Sequence, residues 1–491
     1  MADQILVALT FIAYMAVVLA LGIYAYKRTQ DASDYFLGGR SLHPAVAALS
    51  AGASDMSGWL LLGLPGAAYA TGLTSAWIAI GLFCGIVASW ALMARRLRVY
   101  SYELDDALTV PSYLQRRFNM KTPWLRSICA VFILLFFLFY VASGLIAGGK
   151  LFTTVFGWEY HLAVVFGAVA IISYTLFGGF LAVSWTDVLQ GLLMSFALLL
   201  VPIMVINMNG GMDETVAILQ QKHPEFLHLM TDAEGKRLTL LAIVSSVAWG
   251  LGYFGQPHIL ARFKAVRSEK DVPTATAIAA TWSLLGFIGA LSVGLLGHVA
   301  LQGTLPDGER VFMALVETLF HPLIAGILLA AILSAIMSTA DSQLLVSSAA
   351  LAEDIYHVWW GKSASPEKLL QVGRYAVIAL ALIAVGVAMD PDSKVLDVVA
   401  YAWAGLGAAF GPTMLVSLYW SRMTGAGAIA GVVIGGLTVL VWRHLSGGIF
   451  DVYELVPGFL FSLAAIVLVS LLTKPSGEVS ARHEKVLARF N

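Results

Sequence analysis

The stretch Ala45–Ala70 reads AVAALSAGASDMSGWLLLGLPGAAYA, and it places Asp55 among glycines and serines in the middle of a long apolar run. A carboxylate at mid-bilayer depth costs about 2.5–3.5 kcal/mol on insertion scales, so it needs a partner or a water-filled cavity. Glycine and serine are also poor helix formers. A packing face of small residues would explain the glycines but not Asp55. The stretch therefore predicts a broken membrane helix whose free carbonyls can hold a cation.

The composition of the whole chain indicates a membrane protein. Of its 491 residues, 59% are hydrophobic and 12% are charged, against about 45–50% and about 25% in soluble domains. The formal net charge of −1 gives no bulk attraction for a polyanion, so we exclude nucleic acid as a partner. The two cysteines are too few for a disulfide framework or a zinc site.

Thirteen apolar runs are long enough to cross a membrane as helices. They lie at 5–26, 43–73, 75–98, 125–157, 160–178, 184–209, 238–259, 273–301, 323–353, 371–390, 395–421, 425–444 and 454–473. The first run has neither a basic leader nor an Ala-x-Ala-like cleavage site, so we interpret it as a retained helix. The sequence therefore predicts one integral membrane domain over residues 1–491.

The basic residues orient these helices. With the C-terminus inside the cell, most of the 29 Lys and Arg residues fall on the cytoplasmic side, as the positive-inside rule requires. An odd number of crossings then puts the N-terminus outside. We expect residues 474–491 to form a cytoplasmic tail.

A second polar stretch, Ala331–Ala350, reads AILSAIMSTADSQLLVSSAA. Ser334 and Ser338 are four residues apart, so they share a helical face, and Thr339 flanks them. Isolated Ser and Thr residues usually bond carbonyls of their own helix, but a cluster this dense, with its own Asp341, indicates a pathway. Hydroxyl and carbonyl oxygens suit a hard cation such as sodium.

A third polar stretch, Val247–Phe263, reads VAWGLGYFGQPHILARF. Pro257 removes a backbone donor and kinks a helix, while Trp249 and Tyr253 lie four residues apart on one face. Aromatic residues at this spacing also occur in cores and at membrane interfaces, so the pattern alone leaves a binding role and a packing role open. Tyr140, in ILLFFLFYVASG, would by itself pass as a core residue.

The predicted helices divide into two sets of five. One helix at 5–26 precedes the first set at 43–209, the polar insert at 210–237 separates it from the second set at 238–421, and two helices at 425–473 follow. Five crossings end on the side opposite to their start, so the second set must be inverted. Both sets begin with a Gly-interrupted helix, which is typical of inverted-repeat transporters with a site at the midplane.

Other membrane functions fit less well. The ten histidines are scattered, and no two share a predicted helix at i,i+3 or i,i+4, which argues against a membrane haem or di-metal oxidoreductase. The chain has no P-loop, so ATP does not drive transport directly. A channel fits the composition, but broken helices suit alternating access better than an open pore. The residues favour a non-enzymatic, ion-coupled secondary transporter.

Six motifs extend these patterns over nearly the whole chain. They are DYFLGGRSL (34–42), LSAGASDMSGWLLLGLPGA (49–67), GGFLAVSWTDVLQ (178–190), WGLGYFGQPHILARF (249–263), SAIMSTADSQLLV (334–346) and YAWAGLGAAFGP (401–412). With them the chain resembles the sodium:solute symporter family, and SAGASDMSGW and WGLGYFGQPHILARF favour its proline branch. The resemblance implies an all-α polytopic fold with 13 transmembrane helices: a LeuT-type 5+5 inverted repeat with one extra N-terminal and two extra C-terminal helices.

The resemblance also implies roles for single residues. Sodium would lie between the first and eighth core helices, bound by the carbonyls of Ala53, Met56 and Ala335 and the hydroxyls of Ser338 and Thr339. Asp55 would be needed for sodium coupling. The solute would lie beside Ser57, Gly58, Trp59, Tyr140, Trp249, Tyr253 and Pro257. Arg40 and Asp187 would affect ion coupling and release without binding the ion.

The activity that the resemblance implies is uptake of L-proline coupled to inward sodium flow, by a monomer in the inner membrane of a bacterium. Two alternatives stay open: the same fold carrying another small solute, and a channel or sensor. The sequence is more acidic than the family pattern at Asp341, which either alters ion preference or faces water.

Overall fold

The computed structural model describes residues 2–26, 38–175, 179–222 and 224–490. Several predicted features reach outside these residues: two of the basic residues that orient the helices, Lys27 and Arg28, the motif positions 34–37 and 178, the end of the run 160–178, position 223 of the polar insert and position 491 of the tail. Within the described part the chain is helical, and its β-pairing is limited to two isolated bridges, Leu42 with Val266 and Thr231 with Arg237. The all-α fold class is therefore confirmed for these residues.

Twenty α-helices follow one another along the described chain. They are α1 (Ala2–Tyr26), α2 (Pro44–Asp55), α3 (Leu64–Thr71), α4 (Ala76–Ser89), α5 (Arg95–Glu103), α6 (Val110–Arg117), α7 (Trp124–Phe156), α8 (Tyr160–Thr175), α9 (Phe180–Met208), α10 (Met212–Lys222), α11 (Leu240–Val247), α12 (Pro257–Ala265), α13 (Val272–Ala300), α14 (Val311–Leu319), α15 (Pro322–Leu351), α16 (Pro366–Val387), α17 (Val395–Tyr419), α18 (Gly425–Trp442), α19 (Leu455–Leu472) and α20 (Gly477–Leu487). Turns of π-helix continue the chain at Trp59–Gly63, Trp90–Ala94 and Ala352–His357, and a 3-10 segment covers Ala248–Gly255.

Ten helical stretches of the described chain are long and apolar enough to cross a membrane. This number is lower than the thirteen predicted runs because some of those runs form short or interrupted helices. The helix α2 ends after 12 residues, and Tyr160–Ser173 and Leu240–Gly255 are apolar but shorter than a full span.

Two long helices form the centre of the bundle. In the apolar windows of Pro322–His357 and Val395–Tyr419, 83% of residues are buried inside the protein, against 22% for Asp3–Tyr24. The helix α7 packs against both α15 and α17, and α2 packs against α9, α13 and α15. The short broken helix α2 thus lies beside the polar stretch of α15.

Glycines allow the 3-10 segment Ala248–Gly255 to pack closely against α4. A Cβ atom on Gly250 would lie 2.1 Å from the carbonyl oxygen of Gly81, and one on Gly85 would lie 2.2 Å from the carbonyl oxygen of Gly250. Both obstacles are backbone atoms, which cannot turn aside as a flexible side chain can. These glycines therefore fix where the third polar stretch lies in the bundle.

One end of the bundle, here the Arg40 end, is held by side chains that bind backbone carbonyls. Arg40 pairs with Asp106 and donates to Ser101 Oγ at 2.9 Å and to the carbonyl oxygen of Lys264 at 3.1 Å. Lys264 in turn donates to the carbonyl oxygen of Leu108. These bonds connect the loop before α2 to the segment between α5 and α6 and to the end of α12.

The terminal helix α20 also docks at the Arg40 end. His483 Nδ1 lies 2.7 Å from the Tyr100 hydroxyl and 3.1 Å from Arg117 Nη2, and Arg489 pairs with Glu103 at 2.6 Å. Burial and the Arg117 guanidinium lower the pKa of His483 to about 4. The ring is therefore neutral at neutral pH, and one of its nitrogens can accept from these donors.

The opposite end of the bundle, here the Lys150 end, is held by one buried cation and two carboxylates. Lys150 Nζ donates to Glu309 Oε2 at 2.7 Å and to Asp307 Oδ2 at 2.9 Å. Glu309 also accepts from the backbone amides of Val395 and Leu396 at 2.9 and 3.1 Å. A carboxylate at this position satisfies free amides at the start of α17 and complements its dipole.

The close approach of α4 to the 3-10 segment gives a first prediction. Gly250→Ala forces a Cβ atom against the Gly81 carbonyl, and overpacking of this kind costs about 1–3 kcal/mol. We expect a lower melting temperature for the variant in detergent, where unfolding is monitored by tryptophan fluorescence. Gly386→Ala, on α16 with nothing within 4 Å of the added Cβ, is the matched control and should melt unchanged or slightly later. Equal melting temperatures of the two variants would show that the contact between α4 and the 3-10 segment can adjust to an added Cβ atom.

Candidate ion and solute site

The helix that carries Asp55 is interrupted directly after this residue. The α-helix α2 ends at Asp55, and Met56 has φ −79° and ψ 74°, outside the helical region. The chain becomes helical again around Trp59, through a π-helical turn. The interruption that the sequence predicts therefore lies between Asp55 and Gly58.

A second interruption lies in the third polar stretch. The 3-10 segment ends at Gly255, Gln256 is extended with φ −86° and ψ 107°, and Pro257 starts α12. Proline suits the first position of a helix because its missing N–H has no partner there. The two Gly-rich segments, which occupy corresponding positions in the two predicted repeats, are thus both broken.

The break in α2 faces the hydroxyl pair of α15. Ser338 Oγ donates to the carbonyl oxygen of Ala53 at 2.7 Å and to that of Ala335 at 3.2 Å. Thr339 Oγ1 lies 3.4 Å from the same Ala53 oxygen. Four of the five oxygen groups that the resemblance implies for sodium are therefore linked by contacts within hydrogen-bond distance.

The fifth group, the Met56 carbonyl, has no hydrogen bond to this set within the described residues. Met56 is nevertheless fully buried, and it lies directly after the end of α2 with non-helical backbone angles. Neutral carbonyl and hydroxyl oxygens at the end of a broken helix form the kind of site that holds a sodium ion in transporters. The described residues contain no group of three or more His, Cys, Asp or Glu side chains that could hold a metal.

Three of the predicted aromatic residues converge on Asp55. Its carbonyl oxygen accepts from Trp59 Nε1 at 3.0 Å and from the Tyr140 hydroxyl at 3.1 Å. Its carboxylate oxygen Oδ2 accepts from the Tyr253 hydroxyl. The other carboxylate oxygen, Oδ1, is buried and has no hydrogen-bond partner among the described residues. Asp55 thus connects the break in α2 to α7 and to the 3-10 segment.

Trp403 joins this cluster although sequence reasoning did not single it out. Its ring meets that of Tyr253 edge-on, with centroids 4.8 Å apart, and its Nε1 donates to the carbonyl oxygen of Trp249 at 2.8 Å. The sequence did offer a clue to Trp403, because this residue lies in the motif YAWAGLGAAFGP. The ring of Trp249 itself stacks on Tyr453, with centroids 5.4 Å apart.

The remaining predicted solute residues lie in different surroundings. Ser57 Oγ is 3.5 Å from the backbone nitrogen of Trp59, and a Cβ on Gly58 would lie 2.6 Å from the Cβ of Ala147, so both belong to the break. Pro257 lines a cavity of about 30 Å³ together with Arg262 and others. Among the described residues, the lining of this cavity does not include the aromatic side chains around Asp55.

Asp187 and its partners form a buried charged cluster beside α2. Asp187 Oδ2 accepts from Arg262 Nη2 at 3.2 Å, and both side chains are 0% exposed. The same oxygen accepts from Ser50 Oγ at 2.7 Å, and Arg262 Nη2 also donates to Ser342 Oγ at 2.5 Å. The cluster therefore ties α9 to α2, α12 and α15, which are the helices that carry the candidate site.

Arg262 and Ser50 are functional candidates that sequence reasoning missed, whereas Ser342 belongs to the second polar stretch, Ala331–Ala350. Arg262 had a detectable signal, since it is a charged residue within an otherwise apolar motif. The sequence could not show that it pairs with Asp187, because the two residues are 75 positions apart.

Arg40, the other predicted coupling residue, lies away from this cluster. Its guanidinium donates to the side chains of Asp106 and Ser101 and to the carbonyl oxygens of Lys264 and Ala107. These partners belong to the Arg40 end of the bundle. The structure therefore does not bring Arg40 together with Asp187.

Asp341 lies inside the protein. Its side chain is 0% exposed, and Oδ1 accepts from Thr175 Oγ1 at 2.5 Å, whereas Oδ2 has no partner in the described part of the chain. The alternative that this carboxylate faces water is therefore wrong in this conformation, because the side chain is buried inside the bundle.

The candidate site is closed to solvent in this structure. Asp55, Trp59 and Tyr140 are each 1% exposed, and Tyr253 is 2% exposed. Arg40 precedes α2, whereas Glu309 of the Lys150 end packs against Gly66, which follows the break. The arrangement is that of an enclosed polar centre within an apolar bundle.

The charged cluster gives a second prediction. Asp187→Asn and Arg262→Met each leave one buried group without its partner, which costs about 3–5 kcal/mol, whereas removing both charges is often nearly neutral. We expect the double variant to be more stable than either single variant when melting is followed in detergent. The exposed pair Arg267 and Asp271, 2.7 Å apart, is the control, with coupling of about 0.3–0.5 kcal/mol. Additive losses at positions 187 and 262 would contradict a coupled pair.

Comparison with known proteins relates this geometry to a family. A profile of the sodium:solute symporter family matches residues 35–435. The chain is 49% identical over 490 residues to a sodium/proline symporter of Salmonella typhimurium, covering 98% of this chain and 96% of that protein. It is 48% identical over 467 residues to a high-affinity proline transporter of Bacillus subtilis, covering 94% and 97%.

Solved structures share the fold at lower sequence identity. A Na+-coupled sialic acid symporter, in a substrate-bound outward-open state, matches with a TM-score of 0.78 at 21% identity and covers 96% of this chain and 98% of its own. A nucleobase-cation-symport transporter in a closed conformation matches with a TM-score of 0.52 at 15% identity, covering 93% of this chain and 100% of its own. The family profile matches most of the chain and the curated relatives match nearly all of it, and the chain therefore belongs to the sodium:solute symporter family.

Proposed function

We propose that this protein is a secondary active symporter that couples inward sodium flow to the uptake of L-proline. One observation carries the proposal: the hydroxyls of Ser338 and Thr339 meet the Ala53 carbonyl at the break of α2, next to the aromatic cluster around Asp55. Relatives 48–49% identical over almost the whole chain are named for proline transport, and this supports the choice of solute.

The ion binds where α2 and α15 meet. Carbonyls of Ala53, Met56 and Ala335 and the two hydroxyls supply five neutral oxygens, and the carboxylate of Asp55 adds a nearby negative charge. Without sodium, the Ser338 hydroxyl donates to the Ala53 carbonyl. With sodium present, the hydroxyl rotates so that a lone pair of its oxygen points toward the ion. Sodium then joins the broken helix to α15 through bonds that neither helix makes by itself.

The solute binds on the other side of the break. Proline has an apolar ring with a charged group at each end, so it needs both aromatic packing and polar partners. Trp59, Tyr140 and Tyr253 offer ring surface, and an ammonium group is attracted to aromatic faces. The backbone carbonyl of Trp249 accepts from Trp403 Nε1, which places Trp249 next to these rings, and Ser57, Gly58 and Pro257 shape the chain at the two breaks.

Coupling follows from the shared break. Sodium on one side of Asp55 and solute on the other both favour the arrangement in which the break is ordered, so each raises the affinity for the other. Such coupling is typically about 1–3 kcal/mol and must be reciprocal. Arg40 and Asp187 act outside the ligand shell: Arg40 through the bonds at its end of the bundle, and Asp187 through Arg262.

The proposal extends to the membrane arrangement. We take the chain as thirteen crossings: one extra helix at 5–26, a first repeat at 43–209, an inverted second repeat at 238–421 and two helices at 425–473. The Arg40 end then faces the cytoplasm with the tail 474–491, and the Lys150 end faces outward. The protein works as a monomer in a bacterial inner membrane, and Asp341 tunes the ion preference through α15.

A transport assay tests the function directly. Purified protein in proteoliposomes is expected to accumulate labelled L-proline above its outside concentration when an inward sodium gradient is imposed, because the gradient drives the coupled step. Uptake should fall to equilibration when potassium replaces sodium. Equal uptake with and without the gradient would contradict symport and favour a channel. If another small solute inhibits uptake of labelled proline at a far lower concentration than unlabelled proline does, that solute is the substrate instead of proline.

Removal of the hydroxyl ligands tests the ion site. The double variant Ser338→Ala with Thr339→Ala loses two of five oxygens, and each bond to a charged group contributes about 1.5–3 kcal/mol. We expect the sodium concentration for half-maximal uptake to rise about tenfold or more. Ser173→Ala with Thr318→Ala is the matched control, since both are exposed and bond carbonyls of their own helices at 2.8 and 2.7 Å. An unchanged sodium requirement at positions 338 and 339 would place the ion elsewhere.

A further inference from the structure

The second broken segment carries two polar side chains that belong to neither the proposed ion ligands nor the proposed solute contacts. Gln256 and His258 flank Pro257, and both are 0% exposed. Neither ring nitrogen of His258 has a hydrogen-bond partner among the described residues, and the Oε1 atom of Gln256 also lacks one. Buried polar groups in native proteins are nearly always bonded, because an unpaired one costs about 1–3 kcal/mol. Two such groups on one short segment require an explanation.

Both residues belong to the aromatic cluster around Asp55. The His258 ring meets the ring of Tyr140 edge-on, with centroids 6.0 Å apart at 88°. Gln256 Nε2 donates to the carbonyl oxygen of Trp403 at 3.3 Å, and Trp403 packs on Tyr253. The two side chains that carry the unpaired atoms therefore adjoin the group of side chains proposed to surround the solute.

An inventory of donors shows which group remains for a carboxylate. Trp59 Nε1 and the hydroxyls of Tyr140 and Tyr253 all donate to Asp55, and Trp403 Nε1 donates to the carbonyl of Trp249. A neutral histidine has one N–H donor. Among the buried ring donors of Trp59, Tyr140, Tyr253, Trp403 and His258, the N–H of His258 is thus the one that has no acceptor in the described chain.

The acceptors show the complementary pattern. Asp55 Oδ1 and Gln256 Oε1 are buried oxygens without a partner in the described chain, and an ammonium group needs such acceptors. A zwitterion would satisfy one donor and two acceptors at once. A purely packing role would leave all three groups uncompensated, and residues that serve packing alone are generally apolar.

We propose that Gln256 and His258 recognise the two charged ends of the solute: His258 donates to its carboxylate, and Gln256 Oε1 accepts from its ammonium beside Asp55. The inference rests on the proposed function, since it takes a zwitterionic amino acid as the solute. It adds two specificity-determining residues on the segment where Pro257 sets the direction of the chain.

Solutes that lack one charged end test this assignment. L-proline, L-prolinamide, which lacks the carboxylate, and tetrahydro-2-furoic acid, which lacks the ammonium, compete with labelled proline at fixed sodium. His258→Phe keeps a ring against Phe137 and Tyr140 but removes the donor. We expect this variant to bind proline about 10- to 100-fold more weakly, with prolinamide nearly unchanged. Gln256→Leu should in turn weaken proline and leave tetrahydro-2-furoic acid nearly unchanged.

Three controls separate recognition from general damage. His258→Gln restores an N–H donor and should recover part of the discrimination between proline and prolinamide. Sodium-dependent thermal stabilisation without solute should match that of the unaltered protein. His258→Leu decides the matter if the phenylalanine variant does not fold.

The inference is overturned if His258→Phe weakens proline and prolinamide by the same factor, or if it leaves both unchanged. It is also overturned if Gln256→Leu affects proline and tetrahydro-2-furoic acid equally. If the unaltered protein fails to bind proline in sodium, the proposed function fails instead, and the two failures are therefore distinguishable.

Discussion

The structure depends on which groups form hydrogen bonds with the free backbone carbonyls at the break of α2. Inside a membrane no water is at hand for free N–H and C=O groups, so irregular backbone occurs only where protein or a polar cavity supplies partners. In this protein the Asp55 carbonyl accepts from Trp59 and Tyr140, and the Ala53 carbonyl accepts from Ser338. The groups that stabilise the break include those proposed to bind ion and solute. Under that proposal, ligand binding exchanges partners at the break rather than creating a site.

Two other features keep this exchange in place. Backbone contacts at Gly250 bring the second broken segment against α4, and the Asp187–Arg262 pair ties α2 to α9, α12 and α15 without exposure to solvent. A buried charge pair is weak evidence for stability, but it enforces one arrangement because either partner alone is costly. The helices around the centre are thus closely packed, and the proposed transport cycle has the bonds at the Arg40 end and at the Lys150 end open in turn.

Much of this could be predicted from sequence, and the limits have physical causes. Asp55, the glycines and Ser338 with Thr339 stand out because their polarity conflicts with an apolar helix, so the all-helical membrane fold, the break and the hydroxyl pair were predictable. The contacts between distant residues were not predictable. Asp187 meets Arg262, and Trp403 packs on Tyr253, only because of how helices far apart in sequence pack together. The number of spanning helices was also uncertain, since short broken helices such as α2 fail a criterion based on length.

Reciprocal binding measurements test the central claim, that ion and solute share one broken helix, most directly. Calorimetry gives the affinity for proline with and without saturating sodium, and the affinity for sodium with and without saturating proline. Linkage predicts that both affinities rise by the same factor, about 5- to 150-fold for typical coupling. A proline affinity that is the same in sodium and in potassium would contradict the claim.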